Sequence, residues 1–304
     1  MTTILVATDS GCRVFSEAGE GRIELAGRRL GPFASHLDGT CIAIVDEKEV
    51  WRRFVDGTWH RLVDVDIELQ SICSGRAAIL CGGMRDAAII RISPNSGPVR
   101  LTSFEVVSGR GEWFAGGPPL GVRAITETSD GSILLAAVHV GGIPRSDDGG
   151  ETWSPTIPVM FDVHEVRSHP YIPTLIAAAA AVGLCVSHDS GRSWVVFDQG
   201  LGEIKTALAV AFLNDEVLFS VQESPFATRS KLWRWRIGGM QLETVGNGLP
   251  EWLEGKIDTN QIATGTERAA IIDGGGNLWH SNAGSQNWRR IATGLPYAFG
   301  LLIV

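Results

Sequence analysis

Apolar and polar residues alternate with a period near two along most of this chain, in short runs that end at Gly, Pro, Asn, Asp or Ser. Residues 132–138 (Ser-Ile-Leu-Leu-Ala-Ala-Val) pass through Gly142-Ile143 into a turn. Residues 174–178 (Thr-Leu-Ile-Ala-Ala) pass through Gly183-Leu184 into another. The pattern predicts many short antiparallel strands. It does not predict helices, because Gly or Pro interrupts every candidate segment.

The turns repeat. Ser146-Asp147-Asp148-Gly149-Gly150-Glu151-Thr152-Trp153 and Ser187-His188-Asp189-Ser190-Gly191-Arg192-Ser193-Trp194 both fit S-x-D-x-G-x-[ST]-W. A worn copy runs from Ser281 to Trp288, and a vestige is Asp56-Gly57-Thr58-Trp59. Trp153 and Trp194 stand 41 residues apart. Trp59 to Trp153 and Trp194 to Trp288 are each 94 residues, two units of about 47. A period in the forties with strand-like segments predicts an all-β fold, a single seven-bladed β-propeller of four-stranded antiparallel blades. The expected units are residues 35–66, 67–117, 118–160, 161–202, 203–250 and 251–296, with a seventh split between 297–304 and 1–34. In that split unit residues 300–304 pair with residues 3–7, and the sheet edge is removed. A six-bladed count, with one early unit divided in two, is the alternative.

Composition narrows the picture. A net charge of -8 without a basic run gives no nucleic-acid footprint. The five cysteines, Cys12, Cys41, Cys73, Cys81 and Cys185, are odd in number and scattered, so free thiols in a reducing, cytoplasmic setting are expected. The start of the chain reads as a strand rather than a leader, and the apolar run 174–186 is too short to span a bilayer. No membrane association, no cofactor and a monomer are expected. His36, His60, His139, His188 and His280 show no metal-ligand spacing, and His164 and His169 lie on opposite faces of a continuous strand, so no metal site is expected.

The repeated turns have a structural logic. Ser146, Asp148, Ser187 and Asp189 can serve turn amides, Gly150 and Gly191 can take positive φ, and Trp153 and Trp194 can bury a large ring between blades. Asp147 and Asp148 are adjacent and point apart, so they cannot flank one scissile bond.

These turns resemble the bacterial neuraminidase, or Asp-box, repeats of sialidases, sortilin-type receptors, xyloglucan-cleaving glycosidases and photosystem II stability factors. Residues 141–146, 162–166 and 248–251, with Asp258-Thr259, resemble bacterial BNR-repeat proteins described as sialidase-like or glycosyl hydrolase-like. The likeness covers residues 118–304 well and the first third weakly. It implies the fold. It does not imply an activity, since the repeat is not the catalytic part of those enzymes. The sialidase site uses three arginines, a Tyr–Glu nucleophile pair and an Asp, with Arg-Ile-Pro before the first repeat. Here Ile143-Pro144-Arg145 stands in another order, and Tyr171 and Tyr297 are the only tyrosines.

A site on such a scaffold belongs on the face opposite the repeated turns, at the mouth of the central channel. Candidates are Gln70, Arg123, His164, Glu165 and Asp258 entering inner strands, Glu223 and Arg229 in the loop from 222 to 231, and Trp252 and Glu254 before Ile257. Glu112, Trp113 and Phe114 lie in the connection from 105 to 122. His164 is read as a base or anion donor with Asp162 or Glu165, or as a paired structural histidine. Arg123 and Arg167 are read as a carboxylate clamp or as ion pairs. Three functions fit. One is binding of a small polar or carbohydrate-like ligand. A second is glycosyl hydrolase-like catalysis, with His164, Glu165 and Asp258 as catalytic candidates. A third is a protein-interaction scaffold.

Overall fold

The computed structural model describes residues 2–19, 21–36, 38–114, 120–203, 205–222 and 227–304. Their regular structure is almost wholly β. The helical pieces among them are three 3-10 turns, Thr102–Val106, Arg110–Glu112 and Val159–Phe161. None is long or apolar enough to cross a membrane.

The strands form seven antiparallel sheets, six of them made of consecutive segments, and the fold is a seven-bladed β-propeller. The first blade is Gly300–Ile303, Thr3–Thr8, Gly11–Ser16 and Gly21–Glu24. Ile4 pairs with Ile303 and Ala7 with Gly300, so the two ends of the chain share one sheet, as the apolar ends predict. The second blade is Leu30–Ser35, Cys41–Val45, Glu49–Arg53 and Trp59–Asp64. Leu30–Ser35 leads this blade rather than closing the first; Pro32 and Gly31 disguise it as a turn, but Leu30, Phe33 and Ala34 are buried. The third blade is Leu69–Ser74, Ile79–Gly83, Ile89–Ile92 and Pro98–Arg100. The fourth is Val122–Glu127, Leu134–Val138, Pro144–Ser146 and Ser154–Pro155, and the fifth is Val163–Ser168, Ile176–Ala180, Gly183–Ser187 and Val195–Phe197. The sixth is Ala207–Leu213, Glu216–Gln222, Arg229–Arg236 and Leu242–Thr244, with Leu253–Glu254 added beside Arg229–Arg236. The seventh is Ile262–Gly265, Arg268–Ile272, Leu278–Ser281 and Arg289–Ala292.

Second strands such as Leu134–Val138 and Ile176–Ala180 are buried on both faces, which is why they read as continuous small apolar runs rather than alternating ones. Outer strands such as Pro98–Arg100 and Ser154–Pro155 are exposed.

The chain divides into two units. One comprises Gly31–Ala178 and Val186–Val195; the other comprises Met1–Leu30, Ala179–Cys185 and Val196–Val304. In the first unit, Ile42, Ile44, Ile72 and Ile90 join the second and third blades. Leu80, Ile89, Ile125 and Ala136 join the third and fourth. Phe104 plugs the outer part of that second core edge-on to Trp153, with ring centroids 5.0 Å apart. Trp113, placed among the site aromatics by its position in the sequence, is instead buried against Phe104. In the other unit, Ile4, Val6, Ala270, Ile272 and Leu301 form one core, and Leu218, Leu232, Ile257, Ile271 and Trp288 form another.

The repeated turns behave as hydrogen-bonded staples. Ser146 Oγ accepts the Gly150 N–H at 2.9 Å and donates to Asp148. Asp148 accepts the Thr152 N–H and hydroxyl at 2.9 and 2.6 Å. Ser187, Asp189, Gly191 and Ser193 repeat the arrangement within 0.1 Å. Trp153 Nε1 donates to Gly150 O, and Trp288 Nε1 donates to Ser285 O in the worn copy, where Ala283 has replaced the Asp. Trp194 differs: it is half-buried, and its Nε1 reaches Thr156 Oγ1 at 3.2 Å. A second turn family is present. Asp38, Asp56 and Asp130, each followed by Gly and then Thr or Ser, accept the amide and hydroxyl of the residue two further on.

Candidate ligand-binding site

In the fourth blade the strand Pro144–Ser146 runs from the loop 139–143 to the repeated turn at 146–153. The loop therefore lies at the opposite end of the blade from the turn. The connection entering Val163–Ser168 reaches the same loop, and the two meet at one carboxylate. Asp162 lies 3.5 Å from His164 Nε2 and 3.7 Å from His139 Nε2, one oxygen to each. His164 lies in the strand Val163–Ser168, and the left-handed turn at Asp162 just before it brings the carboxylate to the imidazole.

Both imidazoles are more than nine-tenths buried, whereas the Asp162 side chain keeps 30% of its surface. The carboxylate is the accessible member. Burial alone would raise its pKa. The hydrogen bond and charge of His164, then the charge of His139 and the Val140 N–H, outweigh that and hold it at about 2. It is thus ionised at any physiological pH. Burial pushes the His139 imidazole below its ordinary value, Asp162 opposes this, and Arg123 and His164 add to it. His139 is neutral at pH 7, and its Nδ1 is buried without a hydrogen-bond partner.

The backbone is shaped around this cluster. Val140 and Asp162 both take left-handed conformations, with φ of 46° and 48°. A β-branched residue there is an outlier that the surrounding structure must enforce, and such residues gather at binding sites. Two bonds do the enforcing: Val140 N–H points to Asp162 Oδ1 at 3.4 Å, and Phe114 N–H donates to Val140 O at 3.1 Å. Phe114 is thereby fixed beside the cluster with 65% of its surface exposed. Arg123 sits at a β-bulge, where the register with Leu134–Val138 slips between Val122 and Ala124. Bulges re-aim side chains next to sites. His139 N–H donates to Gly121 O, and a Cβ on Gly121 would lie 2.4 Å from the backbone Met84 O, so only glycine permits this approach.

The structure brings together Arg123, His164, Asp162 and Phe114 from the sequence candidates and adds His139. Glu165 points to the other face of its strand, 1% exposed and ion-paired with Arg167 at 2.9 Å. In the other unit, Arg229 lies over Trp252, 4.2 Å from the ring centroid. Asp258 there is a turn residue: its Oδ1 accepts the Thr259 N–H at 2.8 Å, and Tyr297 OH approaches Oδ2 at 3.3 Å. Glu223 lies outside the described residues. His169 Nδ1 accepts the amides of Tyr171 and Ile172, so it shapes a turn. Among the described residues, no three His, Cys, Asp or Glu side chains are grouped to hold a metal ion. The sequence signal for His139 as a site residue is slight. This residue marks the end of a strand before Gly141-Gly142, and only the left-handed Val140 turns it toward Asp162.

No family model matches the chain, and no curated protein matches it. Solved structures do. The periplasmic gluconolactonase of Pseudomonas aeruginosa superposes with a TM-score of 0.69 at 12% identity, over 100% of this chain and 99% of that one. A GH74 enzyme of Niastella koreensis gives 0.62 at 14% identity, over 93% of this chain and 41% of that one. The GH74 xyloglucanase of Xanthomonas campestris gives 0.62 at 14%, over 95% and 46%. The chain therefore spans less than half the length of either GH74 enzyme. At these identities the likeness is one of fold, and the fold it shows is the β-propeller.

Proposed function

We propose that this chain is a ligand-binding propeller of the Asp-box repeat type, cytoplasmic, that takes a small polar, carbohydrate-like molecule beside Asp162. The observation that carries the reading is an accessible, fully ionised carboxylate backed by two buried imidazoles, with the exposed Phe114 tied by its amide to the adjoining loop and Arg123 close enough to act on His139. A sugar-like ligand offers hydroxyls to Asp162 and an apolar ring face to Phe114, which is the usual division of labour in small polar sites. The names of the structural neighbours, xyloglucanase and gluconolactonase, agree with that ligand class. The test is calorimetric titration with a panel of neutral sugars, sugar acids and sugar lactones. At least one should bind, and Phe114→Ala should weaken it about tenfold, the loss of one modest apolar contact. Absence of binding across the panel would sink the proposal.

A hydrolytic reading is favoured by one feature, the pairing of His164 with Asp162, in which the carboxylate orients an imidazole able to accept a proton from water. Turnover of a glycoside or lactone in the same panel, abolished by His164→Ala, would replace the binding reading with this one.

A further inference from the structure

In the sixth blade the outer edge of Arg229–Arg236 is covered by two separate pieces. Leu242–Thr244 pairs with residues 233–235, and Leu253–Glu254 pairs with residues 229–230. The intervening segment bows away, anchored at Gly248, whose φ is +103° and whose Cβ would meet Trp288 O at 2.0 Å. A cleft of about 130 Å³ opens there over Leu232. Its lining combines the buried Leu232, Val245 and Leu253 and the half-buried Leu249 with Thr244, Gly246, Pro250 and the charged Lys231 and Glu251, of which Glu251 is open to solvent. A cavity of roughly 150 Å³ lined by aliphatic side chains takes a benzene-sized guest, so this cleft holds one branched aliphatic group.

The mouth is charged in a definite arrangement. Lys231 Nζ and Arg229 Cζ both lie 4.2 Å from the Trp252 ring centroid, so one indole holds two cations. Lys231 Nζ is also 3.5 Å from Glu251 Oε1, and the Glu251 side chain is 82% exposed. An exposed pair of this kind contributes little and opens readily.

From this we infer that the cleft binds a free aliphatic α-amino acid of leucine size. The α-carboxylate lies against Lys231 and Arg229, the α-ammonium against Glu251, and the side chain enters the cleft. A carboxylate alone would face Glu251, and an amine alone would face two cations; only a zwitterion matches both signs. The site is independent of the Asp162 cluster.

The test is a nuclear magnetic resonance titration of the full chain with L-leucine. The reporter is the Trp252 indole N–H, assigned through Trp252→Phe. A saturable shift is expected. Isovalerate, isoamylamine and glycine each lack one recognition element and should bind at least about tenfold more weakly. Lys231→Gln and Glu251→Gln should each weaken leucine by a similar factor while leaving the melting temperature unchanged, since both side chains reach solvent. No shift of the indole up to about 10 mM leucine, or isovalerate binding as tightly as leucine, overturns the inference.

Discussion

Asp162 and His280 are two residues whose chemistry the fold alters in opposite settings. Asp162 is held in a left-handed conformation that Asn adopts as readily, and Asn keeps an oxygen for the Val140 N–H. Asp162→Asn should therefore remove the charge at little structural cost. His280 is the converse, a fully buried imidazole with neither ring nitrogen hydrogen-bonded, facing Glu17, Arg268 and Arg289. Burial lowers its pKa; the carboxylate of Glu17 opposes the shift, and the two arginines add to it. Its folded pKa lies below its unfolded value of about 6.5, so the unfolded chain takes up the proton first. The neutral imidazole's contribution to stability is complete above about pH 6.5 and is lost as pH falls below that value. Melting temperature should drop between about pH 7.5 and 5, and His280→Phe should flatten the drop. An equal drop in the variant would show that His280 is not its source. The sequence carried part of the Asp162 site. Asp162 and His164 stand two residues apart in the sequence, close enough to pair. What joined it to His139 and Phe114 was backbone strain at Val140, and a valine in a left-handed conformation has no sequence signature.

At the scale of elements, the repeated Ser-x-Asp turns hold the blades. Gly191 has φ of +81°, and a Cβ there would lie 2.3 Å from Leu135 of the preceding blade. Gly191→Ala combines a left-handed alanine with overpacking, and should cost about 2–4 kcal/mol by denaturant melting. A change below about 0.5 kcal/mol would mean that the turn relaxes freely. The carboxylates of these turns titrate low. The Thr152 hydroxyl and amide and then the Ser146 hydroxyl hold Asp148 at about 2. At Asp189, burial pulls upward but is outweighed by the Ser193 hydroxyl and amide, Ser187 and the Arg192 amide, giving about 2 as well. With unfolded values near 3.8, both turns stabilise the fold fully above about pH 4 and lose that contribution as pH falls through 2. Circular dichroism from pH 5 to 2 should show wild type unfolding more steeply than Asp189→Ala; parallel curves would count against the turns as the acid-labile element. The turns were legible because each of their residue types answers one local bond. The Asp-Gly-Thr and Asp-Gly-Ser turns at Asp38 and Asp130 use the same chemistry in three residues, too short to stand out until the amides they cap were seen.

At the scale of the whole molecule, the fold rests on repetition and on the shared first blade. Thr3 and Val304 exchange backbone hydrogen bonds at 2.9 Å, and Leu301 packs with Ile4 and Ile272. Deleting residues 300–304 should expose the edge of Thr3–Thr8 and give an aggregating chain in size-exclusion chromatography, whereas a monomeric product would mean the first blade stands on three strands. Seven blades were countable because the Trp and Gly positions keep their spacing where the sequence between them drifts. The Asp189 turn and the Asp162 cluster lie at opposite ends of the fifth blade's strands, and the central claim is that they divide the work, one end holding the fold and the other binding. The direct measurement is a paired one, melting temperature and the dissociation constant of the best panel ligand, for Asp162→Asn and Asp189→Ala. The account predicts that Asp162→Asn weakens the ligand at least about tenfold while the chain stays folded, and that Asp189→Ala lowers stability by about 2 kcal/mol with the dissociation constant unchanged. Full ligand affinity in Asp162→Asn, or loss of affinity in Asp189→Ala at a temperature where it remains folded, would contradict it.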